Sequence, residues 1–150
     1  MKSTRRLHLS EMEDHNILAI IDTNILVSGL LARNPSSAVV KVFEAVMQGR
    51  ITPVICDEIL SEYSEVLNRS KFRLPSDLVA SILKYIKQNS IHSERIHTNE
   101  ILPDPKDVVF YEVAISKEDS YLVTGNIKHF PSKPFVVTPA EMLEILKGCR

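Results

Sequence analysis

The sequence predicts an α/β domain built on a mostly parallel sheet with helices on both faces. Three observations carry this. Short apolar runs alternate with longer segments of helical periodicity along nearly the whole chain. The first run, Ile17 to Ile21, is continuously apolar, as in a strand buried on both faces. With only four glycines there is no glycine-rich phosphate loop, so a Rossmann or Walker arrangement has little support.

The elements follow in order. Residues 1–15 are polar and aperiodic and are expected to form a loose tail before a domain spanning 16–150. Ile17 to Val27 reads ILAIIDTNILV, and its first half is the buried strand. Ser36-Ser37 can cap a helix reaching about Gln48, with Val39, Val42, Phe43 and Val46 as its apolar stripe and Gly49 as its stop. Ile51 to Ile55 is a short strand. Asp57 to Arg69 forms a second helix on Ile59, Leu60, Tyr63, Val66 and Leu67, and Pro75-Ser76 opens a third. An irregular strand is expected within 90–103, then a fourth helix from Asp104 to Ser116, and strands at Tyr121 to Thr124 and Phe135 to Val137. Thr138-Pro139-Ala140-Glu141 is a capping box with proline at the first helical position, opening a last helix.

Composition narrows the function classes. Hydrophobic residues make up 44% and charged residues 25% of 150, the balance of one soluble domain. No apolar run approaches the roughly 20 residues of a membrane span. The N-terminus has basic residues but no apolar segment of a secretory signal, so the expected compartment is the cytoplasm. Cys56 and Cys149 match no metal or redox spacing and are read as free thiols, and the five histidines are scattered. A net charge of −1 neither proves nor excludes a nucleic-acid substrate, because a local basic patch can coexist with an acidic site.

Ligands of such sheets sit outside the carboxyl ends of the strands, and acidic and amide residues gather there. Asp22 breaks the first apolar run, followed by Thr23 and Asn24; the competing reading is a structural Asx-turn. Glu62 lies about 100° around its helix from the stripe centre near Tyr63, at the core boundary, or else is a solvated rim charge. Asp104 and Asp107 crowd the start of the fourth helix, where capping and the helix dipole explain them equally well. Thr124 and Asn126 flank Gly125, taken as the pivot of a tight turn after a strand. Together these are hard oxygen ligands, which suit Mg²⁺ or Mn²⁺ better than zinc.

Four segments in order, IDTNILVSGL, CDEILSEYSEVLNRSKF, LPDPKDVVFYEVA and YLVTGNIKHFP, resemble the PIN-domain family, in particular its bacterial and archaeal members described as toxins of toxin–antitoxin pairs. The resemblance covers Ile17 to about Gly148. It implies a three-layer PIN-like α/β fold and a Mg²⁺- or Mn²⁺-dependent endoribonuclease acting on single-stranded RNA. The family's acids fall on Asp22, Glu62 and Asp107, with Asp104 a close neighbour. The fourth position, often Asp, is Asn126, which leaves the site one negative charge poorer. Asp22 and Asp107 are then the expected direct metal ligands. Glu62 holds a second metal or orients a water, and Thr124 and Asn126 complete the shell. Arg69, Lys71 and Arg73, with Lys128, His129 and Lys133, are candidates to track RNA phosphates, against a solubilising role. The resemblance further implies a homodimer and a cognate antitoxin. Two rivals remain: a PIN module that binds RNA or a partner without cutting, and a Mg²⁺-dependent phosphatase.

Overall fold

A computed structural model describes residues 16–148. The expected tail at 1–15, with His8 and His15, and also Cys149, lie outside the described residues. Five parallel strands form one sheet in the order β3-β2-β1-β4-β5: β1 Ile17–Ile21, β2 Ile51–Ile55, β3 Ile91–His92, β4 Ser120–Val123 and β5 Val136–Val137. The sheet is wholly parallel rather than mostly so. Helices α1 Thr23–Leu31, α2 Ala38–Met47 and α6 Pro139–Gly148 pack together, and α3 Asp57–Leu67 packs with α4 Ser76–Asn89 and α5 Val108–Ser116, giving the three layers of a PIN-like fold.

Local chemistry accounts for several boundaries. The Ser37 hydroxyl accepts from the Val40 N–H and starts α2. Gly49, at φ +81°, ends it: the Gly49 and Arg50 amides donate to Val46 and Ala45 carbonyls, a Schellman closure. The Thr138/Glu141 capping box forms reciprocally, at 2.9 and 3.1 Å. β3 is much shorter than the 90–103 segment suggests, and it pairs with β2 only from Val54, just past Pro53, which has no N–H to donate.

The second half of ILAIIDTNILV, for which the sequence predicts no element, is helix α1, whose Gly29 lies so close to α2 that a Cβ there would meet Phe43 Cβ at 2.7 Å. The fourth helix begins with a 3₁₀ turn at Pro105–Asp107 before α5 proper. The core runs through β1, β2 and β4, where Ala19, Ile20, Val54, Ile55, Leu122 and Val123 are fully buried, and Tyr63 and Phe110 close it from α3 and α5. Among the described residues no helix is long and apolar enough to cross a membrane.

Candidate active site

The strand order places a switch point at β1. The chain steps from β1 outward to β2 and β3, then returns to β1's other edge with β4. A crevice at the carboxyl ends of β1 and β4 is the expected ligand position. Ile21 pairs with Val123, so the next residues, Asp22 and Thr124, stand side by side at that point. The Asp22 N–H donates to the Val123 carbonyl at 3.0 Å, and the Thr124 hydroxyl donates to Asp22 Oδ2 at 2.7 Å. The Asn126 N–H in turn donates to Thr124 Oγ1 at 2.9 Å.

Asp22 is the residue before α1, and its carboxylate lies beside the Asn24 and Thr23 amides without a capping hydrogen bond of full geometry. Burial pushes its pKa up, opposed by the Thr124 hydroxyl, the nearby Asn24 and Thr23 amides and the His129 charge, with burial prevailing. The two residues that follow carry a further mark: Thr23 Oγ1 and Asn24 Oδ1 are buried without a hydrogen-bond partner. Such orphan oxygens are uncommon in folded interiors and point to a missing donor or cation.

The two acids before α5 separate cleanly. Asp104 Oδ1 accepts from the Lys106 N–H at 3.0 Å and is a cap. Asp107 makes no such bond and turns to the site. Burial raises its pKa to about 6, helped by the charges of Asp22 and Asp104 and opposed by His129, whose Nδ1 lies 3.5 Å from Asp107 Oδ2. Asp22 and Asp107 thus feel each other's charge. His129, expected to follow RNA phosphates, has its ring beside this acid.

Glu62 is half-buried on α3, with Asp57, Glu58, Ser61 and Glu65 along the same acidic groove of about 410 Å³. The helix is tethered to the site by Tyr63, whose hydroxyl donates to the Ile21 carbonyl at 2.6 Å, one residue before Asp22. Burial and the Asp22 charge push the Tyr63 pKa up, and Glu62 adds to that. Even so, no group of three or more His, Cys, Asp or Glu among the described residues is close enough to hold a metal ion. Of the three acids expected there, Asp22 and Asp107 feel each other's charge, and Glu62 lies on the adjoining helix.

Of the expected phosphate contacts, Arg69 is bound bidentately to Glu65, at 2.8 and 3.2 Å, and Lys133 lies 4.0 Å from Glu100. Lys71 sits over the Phe72 ring, Arg73 adopts a left-handed φ of 52°, and Lys128 is exposed after β4. Cys56 is a free thiol.

One acid went unread in the sequence. Glu112 is buried in α5, only 4% exposed, and accepts from Arg95 Nε at 2.6 Å and the Thr98 N–H at 2.8 Å. Burial raises its pKa, but those donors and the Arg95 charge outweigh it, so it lies below the usual value. Glu112 fastens the irregular 93–104 segment to α5 and belongs to the scaffold.

The frame is a parallel three-layer α/β domain with two acids, Asp22 and Asp107, close enough at its switch point to feel each other's charge. The family model for the PIN domain matches residues 19–128, and the chain belongs to the PIN-domain family. Nuclease activity in general goes with that membership. A comparison with curated proteins found no match.

Proposed function

We propose that this protein is a Mg²⁺- or Mn²⁺-dependent endoribonuclease of single-stranded RNA, acting in the cytoplasm as the toxin of a toxin–antitoxin pair. One observation carries the nuclease part. Asp22 stands at the switch point, and Asp107 lies near enough that burial, with the Asp22 charge, pushes Asp107 up to about 6. A divalent cation relieves such repulsion.

The donors fit that group. All are hard oxygens, and two of the neighbouring ones, on Thr23 and Asn24, are buried without partners. Mg²⁺ usually needs only one or two carboxylates, with waters and substrate phosphate filling the rest. Asp22 and Asp107 would hold the ion, with Glu62 reaching in from α3 and Asn126 offering a neutral oxygen. When bound, the cation supplies charge stabilisation at the scissile phosphate and lowers the pKa of an attacking water. The chain's own residues do the positioning. Thr124 fixes one Asp22 oxygen by its hydrogen bond, leaving the carboxylate a defined orientation. His129 balances Asp107 and, when protonated, adds a positive charge where phosphate oxygens would lie. Lys128, Lys71 and Arg73 supply further positive charge for the backbone.

A second reading has specific support. Asn126 in place of an acid, and the pair in place of a triad, favour a module that binds RNA or a partner without cutting it. The toxin role, the antitoxin and a homodimer rest on family membership alone.

The test is to incubate the protein with mixed single-stranded RNA oligonucleotides and a small phosphomonoester, with Mg²⁺, Mn²⁺ or EDTA, beside Asp22→Asn. RNA cleavage that requires both metal and Asp22 is the expected result. Tight binding without cleavage favours the module, and phosphate release from the ester would make the protein a phosphatase.

A further inference from the structure

Tyr63 is buried where β1, α3 and α5 meet, and each of these elements carries or adjoins one of the three acids. Its hydroxyl donates to the Ile21 carbonyl at 2.6 Å, and Ile21 is the residue before Asp22. Its own chain neighbour on α3 is Glu62. Its ring lies 6.4 Å from that of Phe110, the third residue after Asp107. We propose that Tyr63 is a positioning residue, whose hydroxyl fixes Glu62 relative to Asp22 so that both carboxylates serve one divalent cation. The proposal rests on the ribonuclease reading for its metal ion.

The bond fills a gap that the sheet leaves. The Ile17 N–H donates toward β2, to the Arg50 carbonyl, and residues two apart in a strand turn their backbone groups to the same side. The Ile21 carbonyl therefore also faces β2, while the next amide, that of Asp22, donates to β4. The β1–β2 register stops at Ala19 and Pro53, two residues short of Ile21. The ladder thus supplies no partner for this carbonyl, and a buried carbonyl needs one. Tyr63 supplies it from a helix. A phenylalanine would fill the same space against Phe110, so packing alone does not account for the hydroxyl.

Glu62 depends on such a tie more than the other two acids do. Asp22 is held by the Thr124 hydroxyl, and Asp107 has the His129 ring beside it. Among the described residues the Glu62 carboxylate makes no hydrogen bond or ion pair, so its place is set by where α3 sits. Arg69 feels its charge but is bound to Glu65. Burial, then the Asp22 charge and more weakly that of Glu62, push the Tyr63 pKa up. The hydroxyl therefore stays protonated and remains a donor within reach of both charges.

The experiment measures Mn²⁺ binding by calorimetry, without RNA, for wild type, Tyr63→Phe, Glu62→Gln and the double variant, with urea unfolding of each. Either single change should weaken Mn²⁺ about tenfold. The double variant should bind no more weakly than Glu62→Gln, because Tyr63 acts through Glu62. p-Aminophenylalanine at position 63, which restores an N–H donor, should recover affinity. A Tyr63→Phe protein that is less stable but binds Mn²⁺ as wild type does has lost a structural bond alone, and overturns the proposal. Losses that multiply in the double variant also overturn it. RNA cleavage with Mg²⁺ is followed in the same set. Cleavage by the wild type, with Mn²⁺ affinity unchanged in Tyr63→Phe, removes the positioning role and leaves the nuclease reading intact. Non-additive Mn²⁺ losses with no RNA cut by the wild type would do the reverse, and a wild type that binds no Mn²⁺ overturns both. If Tyr63→Phe fails to fold, Glu62→Gln still decides, since unchanged Mn²⁺ affinity there leaves Tyr63 no acid to position.

Discussion

Replacing Asp107 with asparagine should stabilise the metal-free protein while abolishing cleavage. The amide keeps the shape and loses the charge that Asp22 and Asp104 oppose. Folding lifts this pKa from 3.8 to about 6. At about 1.4 kcal/mol per pH unit, that gap caps the cost of the ionised form at about 3 kcal/mol. The side chain keeps 15% of its exposure, and solvent screening reduces the cost to about 1–2 kcal/mol. For a domain of this size the gain corresponds to a rise in Tm of about 2–8 °C. The folded chain holds the proton over a range where the unfolded chain has lost it. Wild-type stability should therefore fall as pH climbs from about 4 to about 6, and the advantage of the variant should open over that window and persist above it. The assay is thermal unfolding in EDTA across this range, for both proteins. Equal midpoints at about pH 7.5, or an advantage undiminished at about pH 4, would refute the reasoning. Adding Mg²⁺ should then raise the wild type preferentially and narrow the gap.

Other substitutions separate scaffold from site. Asp104→Ala removes a cap and should cost about 1 kcal/mol in urea unfolding, with RNA cleavage close to wild type, unlike Asp107→Asn. Glu112→Ala breaks the buried pair with Arg95. Arg95 remains about one-third exposed, so the loss should be about 2–3 kcal/mol, with faster amide exchange across 93–104. Because folding lowers the Glu112 pKa, its contribution should be present at neutral pH and be lost as pH falls below about 4.5, visible as an earlier acid transition for the wild type than its neutral stability implies. Gly29→Ala should cost about 1–3 kcal/mol, measured by urea unfolding, since the new methyl meets Phe43 Cβ at 2.7 Å.

The legible parts of the sequence were those where local chemistry decides. The Ser37 cap, the Gly49 stop and the Thr138/Glu141 box read directly, and so did β1, β2, β4 and β5, whose apolar runs are short and bounded, whereas the two-residue β3 has no such run. Helix α1 did not, because Ile25-Leu26-Val27 continues the β-branched character of β1 and only packing against α2 makes it helical. Asp104 and Asp107 carry the same helix-start signature, and which of them caps depends on a turn geometry that three residues of sequence do not reveal. Asp22 could be placed, being a polar break at a strand end. The partnership of His129 with Asp107 and the burial of Glu112 could not, since both depend on segments that meet only in the folded chain.

The bond from Thr124 to Asp22 joins residues 102 positions apart. It forms only after β4 has inserted beside β1, among the most non-local events in this topology and so among the slowest. During synthesis, the ribosome must release residue 124 before the Asp22 carboxylate is fixed and before Asp107 and His129 can face it. A partly made chain thus lacks the fixed Asp22 carboxylate, and the site is assembled only when β4 has joined the sheet.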